Sequence, residues 1–239
     1  MKIPRFVIIL ALTSSLSCLG ETPAAPVIFR NLEAGKPQTV IVYGTSLTHG
    51  GSWTIATKRW FAEAYPDKVK FINSGGPGKN SDWGVATLKT KVLDHQPDLV
   101  ILEFSYNDAH DKFNMSVEQG AENLRNMISA IRAQKSDTTI VLQTMNIGWD
   151  APNGNGSLSH RPNLEHYNDN YRTVARELNL PLLDHYVTWK KLKESDPKTY
   201  QRYVPDGTHP TSEGSLAVTW PAVKAWLDSG REAARASKN

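Results

Sequence analysis

Cysteine is almost missing from this chain of 239 residues, because Cys18 is the only one and lies close to the amino terminus. If the first twenty residues are removed, the remaining chain has no thiol and no disulfide, so its core alone must stabilise it. The chain also lacks any cluster of Lys or Arg, and its formal net charge is only +3, which argues against nucleic acid as a partner. It has no internal repeat and no linker-like stretch, which favours a single domain.

Long hydrophobic runs are absent as well. The apolar run at residues 6–12 is too short to span a bilayer, and no later stretch is a candidate transmembrane segment. A basic start before this run and small, polar residues after it predict a signal peptide over residues 1–20, cleaved after Gly20, and a secreted or periplasmic protein. Lipoprotein anchoring through Cys18 is the alternative. It is less favoured because Ser15 stands where a bacterial lipobox prefers Leu.

Short apolar segments alternate with amphipathic segments of helical period along the rest of the chain. This alternation predicts a single three-layer α/β/α domain with a mostly parallel sheet, similar to flavodoxin. The domain is expected at 39–230, after an N-terminal extension at 21–38 and before a C-terminal tail at 231–239. Predicted strands cover 27–30 at an edge, 39–43, 69–72, 98–104, 138–143 and 182–184, and predicted helices cover 53–64, 81–93, 116–134, 163–178 and 211–227.

One irregular stretch, residues 146–162, is long, polar and rich in glycine. Loops of this length inside compact domains are usually functional or mobile. The sequence alone leaves open whether this loop closes over a substrate.

The first predicted buried strand ends abruptly at Gly44, and Ser46 comes two residues later. In open α/β sheets, ligand sites lie beyond the carboxyl ends of the strands, so Ser46 is expected at the mouth of such a site. A single serine at this place is more simply explained as a helix cap. Its interpretation therefore depends on the residues at the carboxyl ends of the other strands.

Further polar groups lie after the other strands and before the last helix. Acyl transfer from an ester requires a nucleophile, a base, an orienting acid and hydrogen-bond donors to the oxyanion. Ser46, His209 and Asp206 can supply the first three functions. The backbone N–H of Gly78 and the side-chain amide of Asn107 can supply donors. Each residue alone is well explained as a cap or turn residue, but together they favour catalysis.

These residues resemble the four sequence blocks of the SGNH hydrolases, the GDSL-type esterases and lipases. Thr45 departs from the family's usual Asp, which supports the loop, and Ser105 departs from the usual Gly and is expected to narrow the oxyanion pocket slightly. The matching residues are Gly44-Thr45-Ser46-Leu47 for the Ser block, Asn73, Gly78 and Ser81 for the Gly block, Ser105-Tyr106-Asn107-Asp108 for the Asn block, and Asp206-Gly207-Thr208-His209-Pro210 for the His block.

The resemblance implies a role for each residue. Ser46 would attack the carbonyl carbon, with His209 as general base and then general acid, and Asp206 would hold the imidazole tautomer. The oxyanion would be bound by the backbone N–H groups of Ser46 and Gly78 and by the side chain of Asn107. This mechanism implies no cofactor and no metal ion.

Two other groups of residues are weaker candidates for a functional site. The glycines that lead to Lys79 are similar to a phosphate-binding loop, but Asn80 stands where Ser or Thr would bind magnesium. Asp108, His110 and Asp111 could be metal ligands on one loop. Because the sequence shows no second cluster to complete them, solvated polar residues are the favoured interpretation.

The substrate is expected to be an acylated carbohydrate or another small ester. Aromatic residues near the predicted site, namely Trp53, Trp83, Tyr106 and Trp149, suit contacts with sugar faces, although the first two are equally good core residues. Tyr106 and Trp149 are therefore candidate substrate-binding residues, and the favoured function is a carbohydrate acetylesterase. The alternatives are a lysophospholipase or thioesterase of the same family, an O-acetyl transferase, and a non-catalytic carbohydrate-binding protein.

Overall fold

The computed structural model describes residues 25–237, so the predicted signal peptide and Cys18 lie outside the described residues. The described chain contains five strands, β1 (Gln38–Gly44), β2 (Val69–Asn73), β3 (Leu99–Glu103), β4 (Thr139–Thr144) and β5 (Leu182–Asp184). They form one sheet in the order β2-β1-β3-β4-β5, and every neighbouring pair is parallel. The predicted α/β fold with a parallel sheet is therefore confirmed.

Helices connect the strands and cover both faces of the sheet. They are α1 (Val27–Glu33), α2 (Ser46–His49), α3 (Ser52–Ala64), α4 (Ser81–Lys91), α5 (Ser105–Asp108), α6 (Val117–Gln134), α7 (Leu164–Glu177), α8 (His185–Ser195), α9 (Pro197–Tyr203), α10 (Ser212–Gly214) and α11 (Trp220–Ala236), with 3-10 turns at Leu93–His95 and Asp111–Phe113 and a π-helical turn at Ser215–Thr219.

The two faces of the sheet carry separate apolar clusters. Val40 and Val42 of β1 pack in one cluster with residues of α1, α3 and α11, whereas Ile41 and Tyr43 pack in the other with α4, α6 and α7. Because side chains alternate along a strand, a strand that is covered on both sides must be apolar at every position. This is why β1, β3 and β4 were visible in the sequence as continuous apolar runs.

The expected edge strand at residues 27–30 is wrong, because this segment begins helix α1. Ile28, Phe29 and Leu32 lie on one face of the helix and are buried against α11. A Cβ on Gly230 of α11 would lie 2.2 Å from the Phe29 ring, so a glycine there allows the close approach. The segment preceding β1 thus completes the core through a helix. Three apolar residues followed by Arg30 could not by themselves distinguish a strand from a helix.

The carboxyl-terminal helix is also longer than expected. It begins with α10, continues through the π-helical turn, and runs as α11 to Ala236, so residues 231–236 of the expected tail are helical. Pro221 lacks the N–H that would continue a regular α-helical ladder, which explains the local change of hydrogen bonding near it. Helices α8 and α9 were not predicted from the sequence.

The topology places a crevice between β1 and β3. The chain leaves β1 toward β2 on one side and continues from β3 toward β4 on the other, so the strand order reverses at this point. Ligand sites of open parallel sheets form at such a reversal. None of the helices in residues 25–237 combines the length and apolar character that a membrane span requires.

Candidate active site

Ser46 is the first residue of the one-turn helix α2, directly beyond the carboxyl end of β1. The Thr45 hydroxyl accepts a hydrogen bond from the Leu47 N–H at 3.1 Å and so caps this helix. A Cβ on Gly44 would lie 2.4 Å from the backbone oxygen of Glu103. Glycine is therefore required where the chain leaves the sheet beside β3.

Three polar side chains form one hydrogen-bonded chain in this crevice. Ser46 Oγ lies 2.9 Å from His209 Nε2, and His209 Nδ1 lies 2.7 Å from Asp206 Oδ2. The His209 and Asp206 side chains remain 48% and 50% exposed, so both are accessible from solvent. The structure thus brings together the three residues that the sequence pattern selected.

Asp206 also organises its own turn. Its Oδ1 accepts hydrogen bonds from the Thr208 N–H at 2.8 Å and the His209 N–H at 2.7 Å. Partial burial acts to raise the pKa of Asp206, but the hydrogen bonds from the His209 backbone and ring and from Thr208 outweigh it and hold the pKa below its ordinary value. The carboxylate therefore stays ionised beside the imidazole.

The loop at 146–162 supports this turn. Gly207 has a φ of +82°, and a Cβ there would lie 2.1 Å from the backbone oxygen of Trp149. The Trp149 N–H donates to Gly207 O at 3.1 Å, and Asn146 Nδ2 donates to Thr208 O at 2.9 Å. The loop at 146–162 therefore packs against the turn that carries His209. In the described structure it helps to position this turn.

The expected oxyanion donors lie at the same end of the sheet. Gly78 has a φ of +68°, which favours glycine, and no atom lies within 4 Å of the position of a Cβ there. Asn107 lies on α5, is almost fully buried, and donates from Nδ2 to Lys79 O at 2.8 Å. Its Oδ1 accepts from Arg161 Nη2 at 3.3 Å. One N–H of the Asn107 amide is thus used within the site.

Asn73 connects the loop after β2 with the loop that carries Ser46. Its Nδ2 donates to His49 O at 3.0 Å, and its Oδ1 accepts from the Gly75 N–H at 3.0 Å. A Cβ on Gly75 would lie 2.5 Å from the His49 backbone nitrogen. Asn73, which matches the Asn of the family's Gly block, therefore has a structural role here, because it holds two loops of the crevice together.

Ser105 does not narrow the oxyanion pocket, in contrast to the expectation from its replacement of Gly. Its hydroxyl is buried and donates to Asn168 Oδ1 of α7 at 2.8 Å. The side chain therefore faces helix α7, and the substitution adds a hydrogen bond between α5 and α7.

Sequence reasoning missed Glu103, the last residue of β3. Its carboxylate is fully buried and accepts hydrogen bonds from the Thr45 N–H and hydroxyl, each at 3.0 Å, and from the Thr48 hydroxyl at 2.9 Å. Burial raises the pKa of Glu103 to about 7, although the hydrogen bonds from the two threonines lower it. The only signal in the sequence is an acid at the end of a continuous apolar strand.

A cavity of about 330 Å³ opens beside Ser46. Its wall is largely apolar and includes Leu47, Trp53, Pro77, Met145 and Pro210. Ser215 and Thr219 of the π-helical turn also line the cavity. Such turns occur frequently at functional sites.

The four aromatic residues that were expected near sugars have mostly structural contacts. Tyr106 is 1% exposed and its hydroxyl lies 2.7 Å from Ser157 Oγ, so it cannot contact a substrate in this conformation. Trp149 is half-buried and donates from Nε1 to Val204 O at 2.6 Å. Trp53 is buried at the wall of the cavity, and Trp83 packs against Tyr43 and Phe104. No sugar-stacking role for Tyr106 is compatible with this arrangement.

Three side chains that could ligate a metal lie together among the described residues, namely His110, Asp111 and His160, and they differ from the set that the sequence analysis considered and disfavoured. Asp108 turns inward, is fully buried and accepts from the Ser81 N–H at 2.7 Å, and burial raises its pKa to about 8. His160 instead joins His110 and Asp111, with both imidazole Nδ1 atoms within 2.9 Å of the Asp111 carboxylate. The two hydrogen bonds to Asp111 hold these three side chains together.

The chain is similar in sequence to proteins of a known family. The model of the GDSL-like lipase/acylhydrolase family matches residues 42–217. A thioesterase 1/protease 1/lysophospholipase L1 from Escherichia coli is 25% identical over 203 residues, which are 84% of this chain and 86% of that protein.

Two solved structures illustrate the similarity in fold. A lipase/acylhydrolase from Enterococcus faecalis has a TM-score of 0.64 at 25% identity and covers 80% of this chain and 96% of its own. A catalytic mutant of an acetylxylan esterase from Geobacillus stearothermophilus has a TM-score of 0.64 at 18% identity, with coverages of 80% and 94%. At this identity the second likeness concerns the fold.

Proposed function

The chain belongs to the GDSL-like lipase/acylhydrolase family, and from this premise we propose that it is a serine hydrolase that cleaves carboxylic esters. The observation that carries the proposal is the hydrogen-bonded chain from Ser46 through His209 to Asp206, which opens onto a cavity. Nucleophile, base and orienting acid lie within hydrogen-bond distance in the order that acyl transfer needs.

In the proposed reaction, Ser46 Oγ attacks the ester carbonyl carbon while His209 Nε2 takes its proton. The tetrahedral oxyanion is bound by the Ser46 and Gly78 backbone N–H groups and by Asn107 Nδ2. His209 then gives the proton to the leaving alcohol, and an acyl group remains on Ser46. Water repeats the sequence with the same base and releases the acid. Asp206 keeps the proton on Nδ1 and stabilises the imidazolium.

The cavity beside Ser46 supports an acyl group longer than acetyl. Its volume of about 330 Å³ is several times the space of about 30 Å³ that one water takes in the liquid, so it leaves room for more than an acetyl group. Its apolar wall stabilises each buried methylene by about 0.8 kcal/mol. We therefore rank an ester with a medium-length acyl chain first, in line with the thioesterase and lysophospholipase named for the Escherichia coli relative.

Removal of acetyl groups from a carbohydrate is the second candidate, and the open entrance favours it. About half of the surface of the His209 and Asp206 side chains is exposed, so a large alcohol group of the ester substrate could remain outside the cavity. The solved neighbour named as an acetylxylan esterase agrees with this candidate. The interior positions of Tyr106 and Trp53 weaken it, because these rings are not free to stack on a sugar.

The test is a series of p-nitrophenyl acetate, butyrate and octanoate with the purified protein. We expect kcat/KM to rise from acetate to octanoate and turnover to disappear in Ser46→Ala. A fall with chain length would favour the acetylesterase, and acetylated xylan would be the next substrate. Turnover that persists in Ser46→Ala would refute the mechanism.

A pair of matched variants tests the cavity itself. Met145→Ala enlarges it, whereas Met127→Ala creates an equal deletion in the cluster on the other face of the sheet. Both are expected to reduce the free energy of unfolding by about 2–5 kcal/mol. Only Met145→Ala should change the ratio of octanoate to acetate turnover. Equal ratios in the two variants would show that the acyl chain lies elsewhere.

We also propose that the protein is secreted or periplasmic after removal of residues 1–20. Lipid attachment at Cys18 is the alternative. Mass spectrometry of the protein from its native host distinguishes them, because the first predicts a chain that starts at Glu21 and the second a lipid-modified Cys18.

A further inference from the structure

Arg161 is an unusual cation in this structure. It is 5% exposed, and no other Lys or Arg among residues 25–237 is as deeply buried. Within the same part of the chain it forms no ion pair with a carboxylate. The Asp111 carboxylate attracts the guanidinium from beyond ion-pair distance. Because a buried charge without a directly paired counter-ion is costly, the polar contacts of Arg161 need an explanation beyond packing.

The contacts of Arg161 converge on α5 and the loop that precedes the arginine. Nε donates to Tyr106 O at 2.8 Å, Nη1 donates to Ser157 O at 3.0 Å, and Nη2 donates to Asn107 Oδ1 at 3.3 Å. The guanidinium also lies 4.2 Å from the centre of the Tyr106 ring. The same cation therefore holds both the backbone before Asn107 and the Asn107 side chain.

These bonds determine which way the Asn107 amide faces. Its oxygen accepts from a cation, and its nitrogen donates one N–H to Lys79 O at 2.8 Å. The second N–H has no hydrogen-bond acceptor among the described residues. If the amide rotated by half a turn, oxygen would face the Lys79 carbonyl and nitrogen would face the guanidinium, and both contacts would be repulsive.

We propose that Arg161 is a positioning residue for the oxyanion, because it holds the Asn107 amide with its free N–H directed at the substrate oxygen and adds positive charge behind it. The inference rests on the proposed ester hydrolysis and extends it to a residue outside the four sequence blocks. Preorganised donors and charges stabilise an oxyanion most strongly in a site of low dielectric. The bond from the guanidinium also polarises the amide, which strengthens its N–H as a donor.

The loop that carries Arg161 is fastened beside the site. His160 Nδ1 lies 2.8 Å from Asp111 Oδ2, and the Asp111 N–H donates to His160 O at 3.0 Å. Since Asp111 comes soon after α5, these two bonds hold residues 160 and 161 against the segment of Asn107. The position of Arg161 is thus fixed by contacts between its own loop and the segment of Asp111, which lies 49 residues from His160 in sequence.

A double-mutant cycle tests this role with p-nitrophenyl acetate, using Arg161→Met, Asn107→Ala and the double variant. Loss of an oxyanion donor costs about 10²–10³-fold in kcat. We expect Arg161→Met alone to lower kcat about 10–100-fold with little change in KM. In the Asn107→Ala background the same change should lower kcat by less than about twofold, since there is no amide left to orient.

Controls separate this effect from a loss of folding. Arg132 is half-buried and donates to the backbone oxygen of Leu178. It lies near the carboxyl end of α6, at the amino-terminal ends of the strands and away from the candidate site, so Arg132→Met should leave kcat unchanged. Thermal unfolding shows whether each variant is folded at the assay temperature. If Arg161→Met does not fold, Arg161→Lys enters the cycle. Lysine keeps the positive charge but lacks the planar set of N–H donors of the guanidinium, so the loss of kcat is expected to be smaller than for Arg161→Met.

The outcomes distinguish the two proposals. An equal fall of kcat for Arg161→Met in both backgrounds, or no fall in the wild-type background, would overturn the role of Arg161 and leave the ester hydrolase intact. Turnover that persists in Ser46→Ala, or a wild-type protein without turnover, would refute the proposed function and this role with it.

Discussion

The two halves of the candidate site are built in different ways. Ser46 lies above a buried network in which Thr45 and Thr48 donate to the carboxylate of Glu103. His209 and Asp206 lie on a half-exposed turn outside the sheet, three residues apart. The nucleophile is therefore supported by the interior of the protein, and the acid–base pair by a local turn packed on a loop.

The difference arises from how each half obtains its geometry. Gly44 pairs with Glu103 in the register of β1 and β3, so the sheet itself places the carboxylate under the Ser46 loop. The Asp206 turn depends on its own backbone hydrogen bonds and on the close contact of Gly207 with Trp149. We expect changes in the buried half to affect stability and its pH dependence. Changes in the exposed half should affect mainly turnover.

The largest effect is expected for Asp206→Asn. Asparagine keeps an oxygen that can accept from the Thr208 and His209 backbone N–H groups, but it removes the charge and disfavours the imidazole tautomer that the mechanism needs. We expect kcat to fall by about 10³–10⁴-fold while the melting temperature changes little. Steady-state kinetics and calorimetry on the same preparation test this. A large fall in the melting temperature would show that the carboxylate is needed for folding as well.

Gly207→Ala should disturb the exposed half through its backbone. The φ of +82° disfavours alanine, and its Cβ would meet Trp149 O at 2.1 Å. Gly35→Ala is the matched control, because Gly35 has a φ of +76° and no neighbour within 4 Å. We expect Gly35→Ala to cost about 1–2 kcal/mol of unfolding free energy without loss of activity. Gly207→Ala should cost more and also reduce kcat. Equal losses in both would argue against the contact with Trp149.

Glu103→Gln tests the buried half through pH. The folded-state pKa of about 7 lies above the ordinary value of 4.5, so the folded protein binds the proton more tightly than the unfolded chain. The contribution of Glu103 to stability is therefore complete below pH 4.5 and is lost as pH rises through about 7. It amounts to roughly 3 kcal/mol.

Denaturant unfolding between pH 4.5 and 8 measures this slope. Glu103→Gln should reduce it, because glutamine does not titrate. Part of the slope should remain, since the pKa of buried Asp108 is raised in the same direction, to about 8. An unchanged slope in Glu103→Gln would show that the carboxylate ionises as easily in the folded state as in the unfolded chain.

The smallest effect is expected for Ser105→Gly, which restores the residue usual in the family. It removes the hydrogen bond to Asn168 and adds chain entropy to the unfolded state, at a cost of about 1–2 kcal/mol. We expect kcat to change by less than about twofold, because the hydroxyl faces α7 and not the oxyanion. A clear rise in kcat would mean that Ser105 does restrict the site.

Much of the architecture could be predicted because the type of most elements depends on local hydrophobic patterns. Strands β1, β3 and β4 are continuous apolar runs since both of their faces are covered, and the spacing of Leu124, Met127, Ile128 and Ile131 defines the inner face of α6. The segment at 27–30 was misassigned because a run of three apolar residues fits a strand and a helix equally well. Helices α8 and α9 were missed; they pack mainly on each other, and Trp189, Tyr200 and Val204 form a small apolar cluster apart from the two sheet faces.

The candidate site likewise combines features that depend on local sequence patterns with features that depend on distant contacts. The sequence by itself determined the alternation of the five strands with their main helices and the polar residues of the short motifs, including Ser46, Asp206 and His209, since these depend on local periodicity and spacing. Only the tertiary structure decided that Glu103 lies under Ser46, that Tyr106 is buried, and that Arg161 holds Asn107. The first and last of these contacts join residues 58 and 54 positions apart in sequence. Their partners are determined by sheet register and loop packing rather than by any local pattern.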